Sequence, residues 1–404
     1  MLTGSWFAGD LRVFLPIIAT AAFAALQSLS WSQTNIAGVN VGNALSADPF
    51  ESWIFALRLS ALTLAGILAV RFTHNHLRLR ILAHAIIFVG VSSAMFGIVR
   101  LAMQRHDGFL LASLTLNGGF AQFINKNHFA FAAEPAIGLL AAIILLQKGE
   151  GQRKLLYLSA LILLWAALVL SRSRGGLLAV SIEMIVAALF FIYAKRPSKS
   201  RAGLPRPVRS ISIAIVTIIL ILIIVGGTTV WLGGDQLSSG VETAASEIGN
   251  REGDSEGGRR RDIWRATFKM IRAHPIAGAG LGGYWAEIPR YHDASGTLSP
   301  QQAHNDYLEL LASAGLIGVG LFLWFAWALV QRTGKALRTL TGVQHVYAVG
   351  AIIGLVGIAV HSLVDFGLHM TSNALVFVML LALLSLNKID QRTAAQAHRS
   401  AAFN

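Results

Sequence analysis

The sequence predicts an all-α fold, a polytopic transmembrane helical bundle of about ten spans with one long, partly helical loop on the outer side. Three observations lead there. Of the 404 residues, 54% are hydrophobic and only 13% are charged, against about a quarter charged in ordinary soluble chains. Apolar runs recur along the whole chain, each near the roughly 20 residues that a helix needs to cross a hydrocarbon layer of about 30 Å. Inside lipid the backbone must satisfy its own hydrogen bonds, so each run is read as a helix. Finally, lysine and arginine concentrate in alternate short loops, the bias that sets orientation.

Spans are expected near 11–29, 54–71, 79–101, 128–147, 154–171, 175–194, 211–231, 308–330, 344–364 and 372–387. The run from Leu11 to Leu29 is long for a signal-peptide core and lacks a small-x-small cleavage site, so it reads as an uncleaved first span. The segment 195–210 carries Lys195, Arg196, Lys199, Arg201, Arg206 and Arg209 with no acid, and is assigned to the cytoplasm. Counting alternately from it, Arg71–Arg80, Lys148–Lys154, Gln331–Arg338 and the tail from Lys388 also fall inside, and all are basic. Both termini are then cytoplasmic. The segments 30–53, 102–127, 232–307 and 365–371 fall outside. The organisation expected is an N-terminal bundle (1–231), an outer loop (232–307), C-terminal spans (308–387) and a cytoplasmic tail (388–404).

The net charge of +13 would raise nucleic acid as a partner in a soluble protein. Here topology-setting loops account for it, and membrane lipids are the expected surroundings. The chain has no cysteine, which excludes structural disulfides and thiolate chemistry.

Within the long loop, Arg261–Ala273 reads as an amphipathic helix. Trp264, Phe268 and Ile271 recur on one face, with Arg261, Arg265, Lys269 and Arg272 on the other. Such a helix either lies in the headgroup plane or packs on the bundle by its Trp/Phe face. Pro275 and Gly278 end it.

Five short stretches hold candidate chemistry. Arg172 and Arg174 sit in Ser171-Arg172-Ser173-Arg174-Gly175-Gly176, an outer hairpin. They either snorkel to headgroups or grip an anion, for which a guanidinium fork suits phosphate bidentately. Arg259-Arg260-Arg261 opens the amphipathic helix, where free N–H groups also favour anions; a solvated charge run is the alternative. His304 lies in Ala303-His304-Asn305-Asp306-Tyr307-Leu308-Glu309, where the long loop re-enters the membrane. A histidine there can exchange a proton near neutral pH, or be structural. Asn127, in Asn125-Lys126-Asn127-His128, is a natural helix N-cap. Asp365, in His361-Ser362-Leu363-Val364-Asp365-Phe366, is an ionisable group near membrane depth, or a cap, or a partner to an arginine. Gly278-Ala279-Gly280-Leu281-Gly282-Gly283 follows a helix rather than a strand and is rejected as a nucleotide loop. No metal-ligand spacing is visible in the outer loops.

These stretches resemble motifs of the bacterial O-antigen ligase and polymerase superfamily of membrane glycosyltransferases. The resemblance rests on Phe123–Ala130, Ser173–Gly176, Arg260–Trp264, His274–Gly282, Ala303–Glu309 and His361–Phe366, in that order from about residue 120 to 370. The family commonly has about twelve spans, so ten is a departure, and the first hundred residues add little to the match.

The resemblance implies transfer of a glycan from a polyprenyl (undecaprenyl) diphosphate carrier to a hydroxyl of a glycan or lipid A-core acceptor, at the periplasmic face of the bacterial cytoplasmic membrane. His304 would be the catalytic base. Arg174 and Arg260 would bind the donor diphosphate with Arg172 beside them, Arg172 and Arg259 mattering less because they miss the motif positions. Asn127, Asn305, Tyr307 and Asp365 would support the site. No cofactor or metal is expected, and no nucleic acid; a single displacement would invert the anomeric centre. A transporter or anion permease is the alternative from another class, favoured by basic residues inside spans, which are nearly absent. A non-catalytic relative would have lost His304 or the arginines.

Overall fold

The computed structural model describes residues 9–36, 39–103, 119–147, 151–194, 256–292 and 300–389. Nine of the ten expected spans coincide with helices. These are α1 (Leu15–Ser28), α2 (Pro49–Phe72), α3 (His76–Ala102), α4 (Lys126–Leu146), α5 (Gly151–Ser171) and α6 (Arg174–Ala194), then α8 (Asp306–Thr339), α9 (Gly342–His361) and α10 (Thr371–Ser385). The expected span 211–231 and the basic segment 195–210 lie outside the described residues. Among those described, seven helices are long and apolar enough to cross a membrane. α1 and α10 have 14 and 15 residues, short of the roughly 20 needed for a full crossing. α1 ends early because the chain turns into an antiparallel hairpin, β1 (Ser30–Ile36) with β2 (Val39–Ala44). The sequence alone predicts only an outer segment over 30–53, without the hairpin.

Short polar side chains start several helices. Asp48 accepts from Glu51 N–H ahead of α2, Asn75 from Arg78 N–H ahead of α3, and Asn305 from Leu308 N–H ahead of α8. Each satisfies one of the orphan donors of a first turn. At α4 the cap is Asn125, which accepts from Asn127 N–H at 2.9 Å. The expectation that Asn127 is the cap is therefore corrected: it lies inside the first turn and its side chain is free for other work.

α4 is the central helix. Most of its apolar window is buried, 83% against 28% for α2, and it packs chiefly on α9. Glycines permit the approach. A Cβ on Gly138 would lie 2.6 Å from Gly354 N, and one on Gly350 would lie 2.8 Å from Leu139 Cα. Gly350 and Gly354 are four apart on α9, the small-residue spacing that brings helix backbones together where no hydrophobic effect drives association.

α8 is broken at Gly315, whose φ of 58° and ψ of −153° are not helical. Its freed backbone groups bond to the glycine-rich stretch that follows α7 (Glu256–Ala273). Ala279 N–H and Gly280 N–H donate to the carbonyls of Ala312 and Ser313, while Leu316 N–H and Ile317 N–H donate to those of Pro275 and Ile276. The buried Gln27 of α1 adds donations to Ala277 O and Ser313 O and accepts from Leu281 N–H. Irregular backbone among apolar helices survives only when buried in protein in this way. Side chains are excluded at the contact: a Cβ on Gly278 would strike the Ser313 backbone, and one on Gly315 the Ile276 carbonyl.

α7 packs on this loop through Ala266, Thr267 and Met270, with Thr267 Oγ1 2.7 Å from Tyr284 Oη. Of the expected Trp264–Phe268–Ile271 stripe, Trp264 and Ile271 are part-buried on the packed side, whereas Phe268 is 53% exposed. Three- and four-residue steps from Ala266 reach Met270 but not Phe268, so the buried stripe is rotated toward the smaller residues.

The charge bias of the loops makes sidedness testable in a chain with no native cysteine. Single cysteines at the exposed Gln33 and Gln301 are expected to react with an impermeant maleimide in intact spheroplasts, and one at the exposed Thr339 only after permeabilisation. The reverse pattern would invert the topology.

Candidate functional site

One end of the bundle gathers the start of α4, the α5–α6 hairpin, the start of α8 and the turn after α9. Asp365, in that turn, has no exposed side chain. Its Oδ1 accepts from Phe366 N–H at 2.8 Å, and its Oδ2 accepts from the Asn127 amide. Asn127 Oδ1 in turn accepts from Ser173 Oγ at 2.8 Å, and Ser173 Oγ accepts from Gly176 N–H at 3.1 Å, capping α6. A continuous polar chain thus links the starts of α6 and α4 to the α9 turn.

On the other side of Asp365 stands His304. Its Nδ1 lies 3.6 Å from Asp365 Oδ1 and has no accessible surface. The side chain as a whole is 31% exposed, so the open part of the ring lies away from Nδ1. The ring also meets Phe366 edge-on, with centroids 4.7 Å apart. His128 and His369 meet the same Phe366 edge-on.

The backbone at His304 is left-handed, with φ of 51°. Among the described residues only Ala121 and Arg172 are other non-glycine residues with positive φ. Such conformations cost about 1–3 kcal/mol and persist where surroundings over-determine them. The neighbouring Ala303 shows how. Its N–H donates to Glu309 Oε2 at 2.8 Å, and its carbonyl accepts from Trp264 Nε1 at 2.8 Å. Trp264 is thus a clamp from α7 onto the loop before α8. The start of α8 is tied to α9 as well. Asp306 N–H donates to Ser362 O, Ser362 Oγ to Asp306 Oδ2, Asn305 Nδ2 to Leu363 O, and Tyr307 Oη to Ala359 O. Asn305 and Tyr307 therefore hold backbone rather than face an open site.

Beside this network lies a cavity of about 280 Å³ lined by Lys126, Asn127, Arg172, Arg174, Gly175, Leu178, Arg260 and Val364. Arg172 and Arg174 of one hairpin meet Arg260, distant in sequence, at this cavity, joined by Lys126, which sequence reasoning missed. Lys126 carried the same signal as the arginines, a cation in an expected outer segment. Arg172, expected to matter less than Arg174, lines the same cavity. Its left-handed turn places it there, and spacing alone does not show that. The side chain of Arg259 lies outside the described residues. Among the described residues no carboxylate pairs with Lys126, Arg174 or Arg260, and no group of three or more acidic or histidine side chains has metal-site geometry. Four cations around one space, with helix α6 starting at its wall, have the chemistry to receive an anion.

Burial pushes the Asp365 carboxyl up, but the nearby His304 ring, Phe366 N–H and the Asn127 amide outweigh it and bring it down from 3.8 to about 2. A carboxyl depressed in the folded state contributes stability above its unfolded value that is lost as pH falls through the folded value. The thermal midpoint of the detergent-solubilised protein is thus expected to fall between pH 3.8 and about 2 with a component that Asp365→Asn lacks. An identical acid profile for the variant would mean that the charge is not held as described.

A search of curated proteins returns no match for the chain. A family model described as O-antigen ligase matches residues 159–323. That stretch contains Arg172, Arg174, Arg260 and His304, while Asn127 and Asp365 flank it on either side. Residues 159–323 are thus similar to an O-antigen ligase domain, which supports the resemblance to the O-antigen ligase and polymerase superfamily.

Proposed function

We propose that the protein is a membrane glycosyltransferase that moves a glycan from a polyprenyl diphosphate carrier to a saccharide hydroxyl, with its site at the periplasmic face of the cytoplasmic membrane. One observation carries the reading: a histidine in a held, left-handed conformation, its Nδ1 turned to a buried carboxylate, stands beside a cavity walled by four cations.

The chemistry follows from that pairing. The acceptor hydroxyl oxygen attacks the anomeric carbon. The bond from that carbon to the diphosphate oxygen breaks, and its electron pair leaves with the diphosphate. The hydroxyl proton passes to His304 Nε2, the ring nitrogen not turned to Asp365. Asp365 holds the ring's tautomer and stabilises the imidazolium, as a carboxylate does behind a catalytic histidine. Arg174, Arg260, Arg172 and Lys126 meet the charge growing on the leaving diphosphate, the role a divalent cation fills in other transferases. A single displacement from the opposite face inverts the anomeric centre.

In purified protein with a lipid-linked glycan donor, His304→Ala is expected to abolish transfer in protein that still inserts and folds, with a thermal midpoint lowered by the loss of the partner of Asp365, and wild-type turnover should persist in EDTA. A folded His304→Ala variant with normal turnover would remove the base from the mechanism; a loss in EDTA restored by magnesium would reveal a cation site.

Arg174→Ala and Arg260→Ala should each lower kcat/KM for the donor roughly ten- to a hundredfold, since hydrogen bonds to charged groups contribute about 1.5–3 kcal/mol. Lysine should restore neither fully, because an ammonium lacks the planar fork. Arg172→Ala is expected to follow them. Arg265, exposed and paired with Asp262 at 3.3 Å, is the control. Equal damage from Arg265→Ala would reduce the assignment to general surface charge.

A further inference from the structure

Glu134 of α4 and His361 of α9 meet inside the bundle, with Glu134 Oε1 2.6 Å from His361 Nδ1 and neither side chain exposed. Glu134 lies eight residues past Lys126, roughly 12 Å down the axis at 1.5 Å per residue. Ionisable groups at that depth are costly, and neither is a member of the cavity or of the His304–Asp365 pair. The His361 ring is clamped on three sides. Glu134 holds Nδ1, Phe131 stacks on its face at 4.2 Å and 20°, and Gly175 lies so close that a Cβ there would be 2.7 Å from Nε2. The His361 carbonyl accepts from both Val364 N–H at 2.9 Å and Asp365 N–H at 3.1 Å. Fixing the ring fixes the residue, and the residue closes the turn that aims Asp365.

We propose, on the reading that His304 is the base and Asp365 its partner, that Glu134 and His361 are positioning residues for the transfer: their buried hydrogen bond sets the turn 361–365 and so the approach of Asp365 to His304. The role belongs to the hydrogen bond rather than to charge. A group that still accepts from His361 should serve, and one that cannot should misplace Asp365 without disturbing the arginine cavity.

The test uses the full-length protein in lipid nanodiscs, with kcat and donor KM measured separately. Glu134→Leu is expected to lower kcat about ten- to a hundredfold, the scale of a misplacement of about an ångström, with KM within about twofold. Glu134→Gln, which keeps an acceptor oxygen, should recover most of the loss. Added to Asp365→Asn, itself slow, Glu134→Leu should cost little more, since members of one network do not add. Glu183, buried nearby on α6, is the control, and Glu183→Gln should leave kcat unchanged. If Glu134→Leu fails to insert, His361→Phe fills the ring's place without the hydrogen bond and carries the same expectations. Wild-type kcat in the breaking variant, or losses that multiply with that of Asp365→Asn, would overturn the proposal. So would a loss confined to stability, or one shared by Glu183→Gln. An inactive His304→Ala beside a normal Glu134→Leu sinks this inference alone, whereas an active His304→Ala sinks the reading beneath it.

Discussion

Burying a carboxylate beyond the reach of solvent costs several kcal/mol unless its lone pairs are met and its charge is balanced. Asp365 meets that demand by drawing on three separate parts of the chain: the amide of Asn127 from α4, the N–H of Phe366 from its own turn, and the ring of His304 from the loop before α8. The contacts of Asn127 and His304 form only when α4, α8 and the turn after α9 dock in one arrangement. Removing any partner leaves a charge without compensation, so the same interaction that orients His304 also ties the helix ends together. Function and packing share one constraint at this end of the bundle.

The second requirement is that the loop carrying His304 be rigid although it is not helical. A left-handed histidine will relax unless both of its neighbours are held. Ala303 is gripped at N–H and carbonyl by Glu309 and Trp264, and Asn305 caps the helix that follows. Trp264 in turn is only as well placed as α7. That helix rests on the glycine-rich stretch 275–283, which is bonded into the break of α8 at Gly315. The glycines serve close backbone approach, and through it the line of support runs to the site.

The cations arrive by different routes. Arg172 and Arg174 come from a hairpin between two spans, Lys126 from the start of α4, and Arg260 from α7, the only one of these elements outside the spans. A diphosphate bound among them would cross-link α7 to the bundle. That helix is fastened to the rest of the protein by its Ala266–Thr267–Met270 face, by the Thr267–Tyr284 hydroxyl pair and by the Trp264 indole N–H.

Much of this was legible in the sequence. Apolar run length and loop charge located nine helices, eight of them to within about five residues and α8 with its end at Thr339 rather than near 330, because a chain in lipid has few alternatives to a helix. The arginines and His304 stood out because cations at an expected outer face, and a histidine at a span boundary, are out of place on general physical grounds. The resemblance then gave them roles. What the sequence could not show was pairing. Asn127 has the composition of a cap, and only docking against Asp365 and Ser173 shows that Asn125 caps the helix instead. The packed face of α7 was legible in part: Trp264 and Ile271 lie on it, but hydrophobicity ranks the exposed Phe268 above the buried Thr267, whose hydroxyl meets that of Tyr284. The hairpin β1–β2 was missed because its residues are mostly polar and the alternation in β2, Val39-Asn40-Val41, is only three residues long. Local pattern sets which segments become helices. Which side chains meet across 238 residues from Asn127 to Asp365, or 227 from Glu134 to His361, depends on which helix faces are small enough to approach, and that is decided only when the bundle closes.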